Sequence, residues 1–116
     1  MQTILNNIEQ IIEEFTIKTK KILGNHLKQI ILYGSYARGD FNENSDIDIM
    51  ILIDTKDREL ESYYERIIEL AYNIESKNDF KIHLSPLVKN IDKFNYWLDT
   101  IPFYMNVEKE GVLLNG

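Results

Sequence analysis

Cysteine is absent from the 116 residues, which excludes a disulfide framework and a thiolate zinc site. No apolar run approaches the 18 or so residues that cross a membrane. The start Met1-Gln2-Thr3-Ile4-Leu5 lacks the basic-then-apolar order of a signal peptide. A cytoplasmic protein without membrane contact is expected. Basic residues are the minority: 13 Lys and Arg stand against 19 Asp and Glu, a formal net charge of -6. That balance argues against a surface that wraps nucleic acid directly, whose phosphates need a basic face. An internal repeat, a linker and a low-complexity segment are also missing, and the length suits one core and one domain over 1–116.

What is present concentrates between Ile30 and Ile53. An apolar run, Ile30-Ile31-Leu32-Tyr33, leads into the turn Gly34-Ser35-Tyr36-Ala37-Arg38-Gly39-Asp40. After a polar loop follows Ser45-Asp46-Ile47-Asp48-Ile49-Met50-Ile51-Leu52-Ile53. Side chains alternate along a strand, so Asp46 and Asp48 point the same way while Ile47, Ile49, Ile51 and Ile53 make an aliphatic surface on the other face. Two carboxylates held about 6 to 7 Å apart along a strand repel each other. A divalent cation resolves that conflict: magnesium on phosphate substrates takes one or two carboxylates and leaves its other positions to water and phosphate oxygens. In the turn, Gly34 lets backbone approach a ligand, Ser35 offers a hydroxyl and an amide at a helix start, and Arg38 can contact phosphate or Asp40. An ordinary polar hairpin through Asn42, Asn44 and Ser45, with both aspartates on a solvated face, is the plainer alternative.

The rest of the chain alternates helix and strand signals. Ile4, Leu5, Ile8, Ile11, Ile12 and Phe15 mark an amphipathic helix ending near Gly24-Asn25, with Lys18, Lys20 and Lys21 in its last turns as a solvated basic face and His26 exposed beyond it. Leu60, Tyr64, Ile67, Ile68, Ala71 and Ile74 mark a second helix, closed by the polar cluster Glu75 to Asp79. A third strand is expected from Phe80 to Val88, with Phe80, Ile82 and Leu84 buried, Pro86 at an edge or bulge, and Asp79, Lys81 and His83 outward. Asn90 caps a short helix through Leu98, Pro102 opens a last one to Glu110, and Val112 to Leu114 can add an edge strand. Tyr96, Trp97 and Phe103 are candidates for an exposed apolar patch of the kind a masking protein needs, with core packing the first expectation for each.

The spacing Gly34-Ser35, ten residues, Asp46-x-Asp48 resembles the signature of minimal nucleotidyltransferases of the DNA polymerase beta superfamily. A four-position match of this kind arises by chance at roughly one in 10⁵ starting points. The continuation Ala37-Arg38-Gly39 and the tail Pro102-Phe103-Tyr104-x-Asn106-Val107-x-x-Glu110-Gly111 extend the resemblance over nearly the whole chain. It implies an α/β (α+β) nucleotidyltransferase fold, a small mixed sheet flanked by helices on one side. It also implies Mg2+, as two ions, on Asp46 and Asp48, and ATP with its terminal phosphates near Gly34 and Ser35, where Arg38 is the further nucleotide-binding candidate. In that family a third carboxylate commonly comes from the strand after the second helix. Here the candidates are Asp79, if it reaches the site, and His83, which can ligate metal or act as a base.

Stand-alone members resemble the antitoxins of HEPN and minimal nucleotidyltransferase pairs, which transfer AMP to a tyrosine of a helical ribonuclease toxin. The resemblance therefore implies a partner protein that completes the acceptor site and leaves room for a homo- or hetero-oligomer. Two alternatives stay open: a catalytically impaired module that neutralises its partner by covering it, and a small-molecule (antibiotic) nucleotidyltransferase.

Overall fold

Strand β2, Ile47–Ile53, is the inner element on which the computed structural model is built; the structure describes residues 2–115, with side chains from residue 7 onward. Ile47, Ile49, Ile51 and Ile53 are completely buried, as the alternation requires. They pack on one side against α1 (Gln2–Leu23) and α3 (Asp57–Lys77) through Ile8, Ile11, Phe15, Ile67 and Ile74. The placement of Ile4 and Leu5 in that stripe lies outside the described side chains.

The opposite parity, Met50 and Leu52, is also completely buried. Phe94 of α4 (Ile91–Trp97) and Val107 of α5 (Pro102–Glu110) cover it together with Ile31. Flanking by helices on one side thus describes the long pair, α1 and α3, and needs correcting for the short α4 and α5. A strand apolar at both parities demands cover on both faces.

The four-stranded sheet runs β3-β2-β1-β4. Strand β1 (Leu27–Tyr33) is antiparallel to β2 and to the two-residue β4 (Val112–Leu113), while β3 (Leu84–Asn90) is parallel to β2. The parallel pair needs a crossover, which α3 supplies. Pro86 is accommodated because β3 is an edge strand, where a missing N–H is tolerated.

Strand β3 starts four residues later than Phe80. Helix α3 extends to Lys77, and Asp79 and Phe80 then take left-handed backbone (φ 56° and 57°). The Phe80 amide donates back to the Glu75 carbonyl at 2.8 Å. That reversal leaves Phe80 exposed against Tyr72, while Ile82 and Leu84 point inward as expected. In α3 the buried stripe is Ile67, Leu70, Ala71 and Ile74, continued by Glu75; Tyr64 and Ile68 lie outside it, exposed. Tyr96, Trp97 and Phe103 are likewise exposed, at 74%, 44% and 40%, so the expectation that they belong to the core is corrected: Phe94, one helical turn away, takes the inward position on α4.

Asn90 caps α4 by accepting the Lys93 amide at 3.0 Å, and its Nδ2 donates to the Thr55 carbonyl at 2.8 Å. Asn90→Ala loses both bonds and is expected to cost about 1–2 kcal/mol. Asn90→Asp keeps the cap and recovers part of that loss, as read from urea midpoints.

Candidate active site

The turn after β1 is shaped by its glycines. Gly34 sits at φ 76°, ψ -154°, a conformation closed to residues with a side chain, and its carbonyl accepts the Ala37 and Arg38 amides at 3.1 and 3.0 Å. The short helix α2 (Ser35–Arg38) follows, ended by left-handed Gly39. A Cβ on Gly34 would collide with Oδ2 of Asp48, so the bare backbone lies directly against that carboxylate. Turn and strand carboxylate, Gly34 and Asp48, are therefore in contact although distant in the chain.

Asp48 pairs across the sheet with Tyr33 of β1 and Ser85 of β3, at the end of the sheet where β1 finishes and β3 begins. Burial pushes its carboxyl above the ordinary carboxylate value, and the charge of Asp46 adds to the rise; Arg38 and His83 oppose it. The Tyr33 phenol is pushed up to about 12, first by burial and then by Asp48, so it stays protonated beside the carboxylate. Tyr33 ends the apolar run of β1, and the antiparallel register places it opposite Asp48.

Asp46 is more exposed and opens onto a cleft of about 590 Å³, which Tyr36, Asn44, Lys81 and His83 also line. The loop leading to it is an ordered turn: Asn44 N donates to Asn42 Oδ1 at 2.8 Å, Asn42 N to Ser45 Oγ at 2.9 Å, and Phe41 stacks on Tyr36 at 4.5 Å. Arg38 is tied by Nε to Asp40 and by Nη1 to Glu110 of α5, both at 3.2 Å, so it braces the turn against the C-terminal helix while remaining near Asp48.

The other two sequence candidates separate. Asp79 lies in the left-handed turn after α3, its amide donating to the Ser76 carbonyl, and does not line the cleft. His83 does, and its carbonyl accepts the Ile47 amide at 2.8 Å, which fixes it beside the stretch carrying Asp46 and Asp48. Among the described residues no three His, Asp or Glu side chains converge as a complete metal cage. Two carboxylates, one of them disfavoured as an anion by burial and then by its neighbour's charge, suit a hard cation that draws its remaining ligands from water and phosphate.

A carboxylate pair at the start of a mixed-sheet strand, Asp46 just before β2 and Asp48 within it, with Asp48 pressed against a glycine-serine turn, defines a nucleotidyltransferase type of site. The chain belongs to the nucleotidyltransferase domain family, whose pattern residues 8–112 match. It is 34% identical over 108 residues to the "Putative protein adenylyltransferase MJ0604" of Methanocaldococcus jannaschii, covering 93% of this chain and 98% of that one. It is 29% identical over 89 residues to the protein adenylyltransferase MntA of Thermococcus cleftensis, covering 72% of this chain and 88% of that protein. Among solved structures it resembles a toxin-antitoxin crystal structure with AMP-PNP, at a TM-score of 0.50 and 26% identity over 90% of this chain and 73% of the other.

Proposed function

We propose that this chain transfers AMP from ATP to a hydroxyl of a toxin partner, a tyrosine of a helical HEPN-type ribonuclease, and thereby acts as its antitoxin. The observation that carries the reading is the contact between Gly34 and the Asp48 carboxylate, which puts a phosphate-approachable backbone beside the metal-ligand pair. Membership of the nucleotidyltransferase family and the adenylyltransferase relatives support the same reaction.

Asp46 and Asp48 hold magnesium, which on binding supplies charge stabilisation for attacking and leaving oxygens. Gly34 and Ser35 receive the terminal phosphates, and Arg38, anchored by Asp40 and Glu110, keeps the turn in place. The acceptor oxygen forms a bond to the α-phosphorus, the bond from that phosphorus to the bridging oxygen breaks, and pyrophosphate leaves with the electron pair. The acceptor's proton passes to a base. A second reading, neutralisation by covering alone, draws on the exposed aromatic group Tyr96, Trp97 and Phe103 on the α4 and α5 face.

The test is the intact mass of a helical HEPN-type toxin after incubation with the protein, magnesium and each nucleoside triphosphate in turn. A gain of one AMP from ATP alone is expected. A stable complex with no mass gain favours covering and refutes transfer.

A further inference from the structure

The proposed reaction needs an acceptor for the hydroxyl proton, and the structure assigns one through a residue with no place in the family signature. Glu75 lies on the apolar stripe of α3, four residues beyond Ala71 and eight beyond Ile67, and is 9% exposed. Its Oε2 accepts the Leu84 amide at 2.9 Å, at the first residue of β3, and the same oxygen meets Nδ1 of His83 at 2.6 Å. A carboxylate only accepts, so Nδ1 carries the hydrogen and Nε2 is left with its lone pair. His83 lines the same cleft as Asp46.

We infer that Glu75 and His83 form a carboxylate–imidazole pair in which His83 Nε2 takes the proton of the attacking hydroxyl and Glu75 is the positioning residue. This rests on the transfer reading above. The pair does the work of a third carboxylate: the proton moves from the acceptor oxygen to Nε2 as that oxygen bonds to the α-phosphorus, and the resulting imidazolium is held by Glu75. Burying a glutamate on a helix face has a use here beyond capping a strand end, because it selects one tautomer of the imidazole.

Transfer to a helical HEPN-type toxin, with ATP and magnesium, is measured for four variants. His83→Ala is expected to fall 100-fold or more and His83→Asp to recover most of the loss, on the order of the 10²–10⁴ that general bases contribute. Glu75→Gln is expected to lower the rate about 10–100-fold with the KM for ATP unchanged. In the His83→Asp background the same substitution is expected to change the rate less than twofold, because no imidazole remains to be positioned. An equal loss in both backgrounds would reduce Glu75 to a strand cap and overturn the pair.

Nitrogen-15 spectra of the free protein read the tautomer without any turnover. The chain has two histidines, separated by a His26→Gln variant. Protonated Nδ1 on His83, shifting toward Nε2–H in Glu75→Gln, is expected; Nε2–H in the natural chain overturns the inference. Transfer that survives His83→Ala overturns it while leaving the reaction standing, whereas no transfer by the intact chain overturns both.

Discussion

Replacing Asp46 and Asp48 together by asparagine yields a protein that folds, melts higher than the natural chain in metal-free buffer, and transfers no measurable nucleotide. The gain in stability follows from Asp48. Its carboxyl is pushed above the ordinary value by burial and then by Asp46. A carboxyl raised in the folded state binds its proton more tightly there than in the unfolded chain. Its contribution is present below the ordinary carboxylate value and is lost as pH climbs through the raised one, so at neutral pH the ionised Asp48 carboxylate opposes folding. Asparagine keeps the shape and removes first the half-buried charge and then the repulsion. The loss of transfer is at least about a thousandfold, equivalent to about 4 kcal/mol of transition-state stabilisation. Millimolar magnesium is expected to raise the melting temperature of the natural chain and to leave the double variant unmoved, since an ion that binds only the folded form stabilises by mass action. Calorimetry with and without the ion, beside the mass assay, checks both halves. A variant that melts lower, or that still transfers, contradicts the placement of the cation.

The centre of the fold and of the site was legible because two signals with different physics coincide there. Strict alternation placed Ile47, Ile49, Ile51 and Ile53 inside and Asp48 away from them, and the glycine-serine turn announced a backbone conformation that other residues cannot take. The cap at Asn90 and the helix start at Pro102 were legible for similarly local reasons.

What escaped depends on the reversal after α3. Nothing in Asn78-Asp79-Phe80-Lys81 signals two consecutive left-handed residues without glycine, so Phe80 read as a strand residue and Asp79 as a neighbour of the site. Glu75 read as the polar end of a helix because a charged residue is ordinarily outside. The spacing Ile67, Ala71, Glu75 was the available sign that it is inside, and its two partners, the Leu84 amide and His83, are set by tertiary structure that no local pattern encodes. Exposure of Tyr96 and Trp97 was hidden for the related reason that a seven-residue helix has too few turns to declare which face is buried.

Gly34→Ala is expected to lower transfer about 100-fold or more, and Gly39→Ala to leave it nearly intact, although both glycines have positive φ. Each substitution places a side chain where L residues are rarely found, which costs about 1–3 kcal/mol of stability. The two differ in what a methyl group meets. At Gly39 nothing lies within 4 Å, so the strain stays in the backbone at the end of α2. At Gly34 the methyl runs into Asp48 Oδ2. Asp48 cannot retreat freely, because Met50 and Leu52 of its own strand are locked in the core and Tyr33 and Ser85 flank it in register. Either the turn lifts away from the strand or the carboxylate rotates out of position, and a displacement of about 1 Å at a reacting centre is enough for a loss near 100-fold. The magnesium-induced rise in melting temperature should shrink in Gly34→Ala and persist in Gly39→Ala, which separates damage to the carboxylate from general destabilisation. Equal activity losses in the two variants, after correction for their melting temperatures, would mean that backbone strain rather than the contact with Asp48 governs this turn.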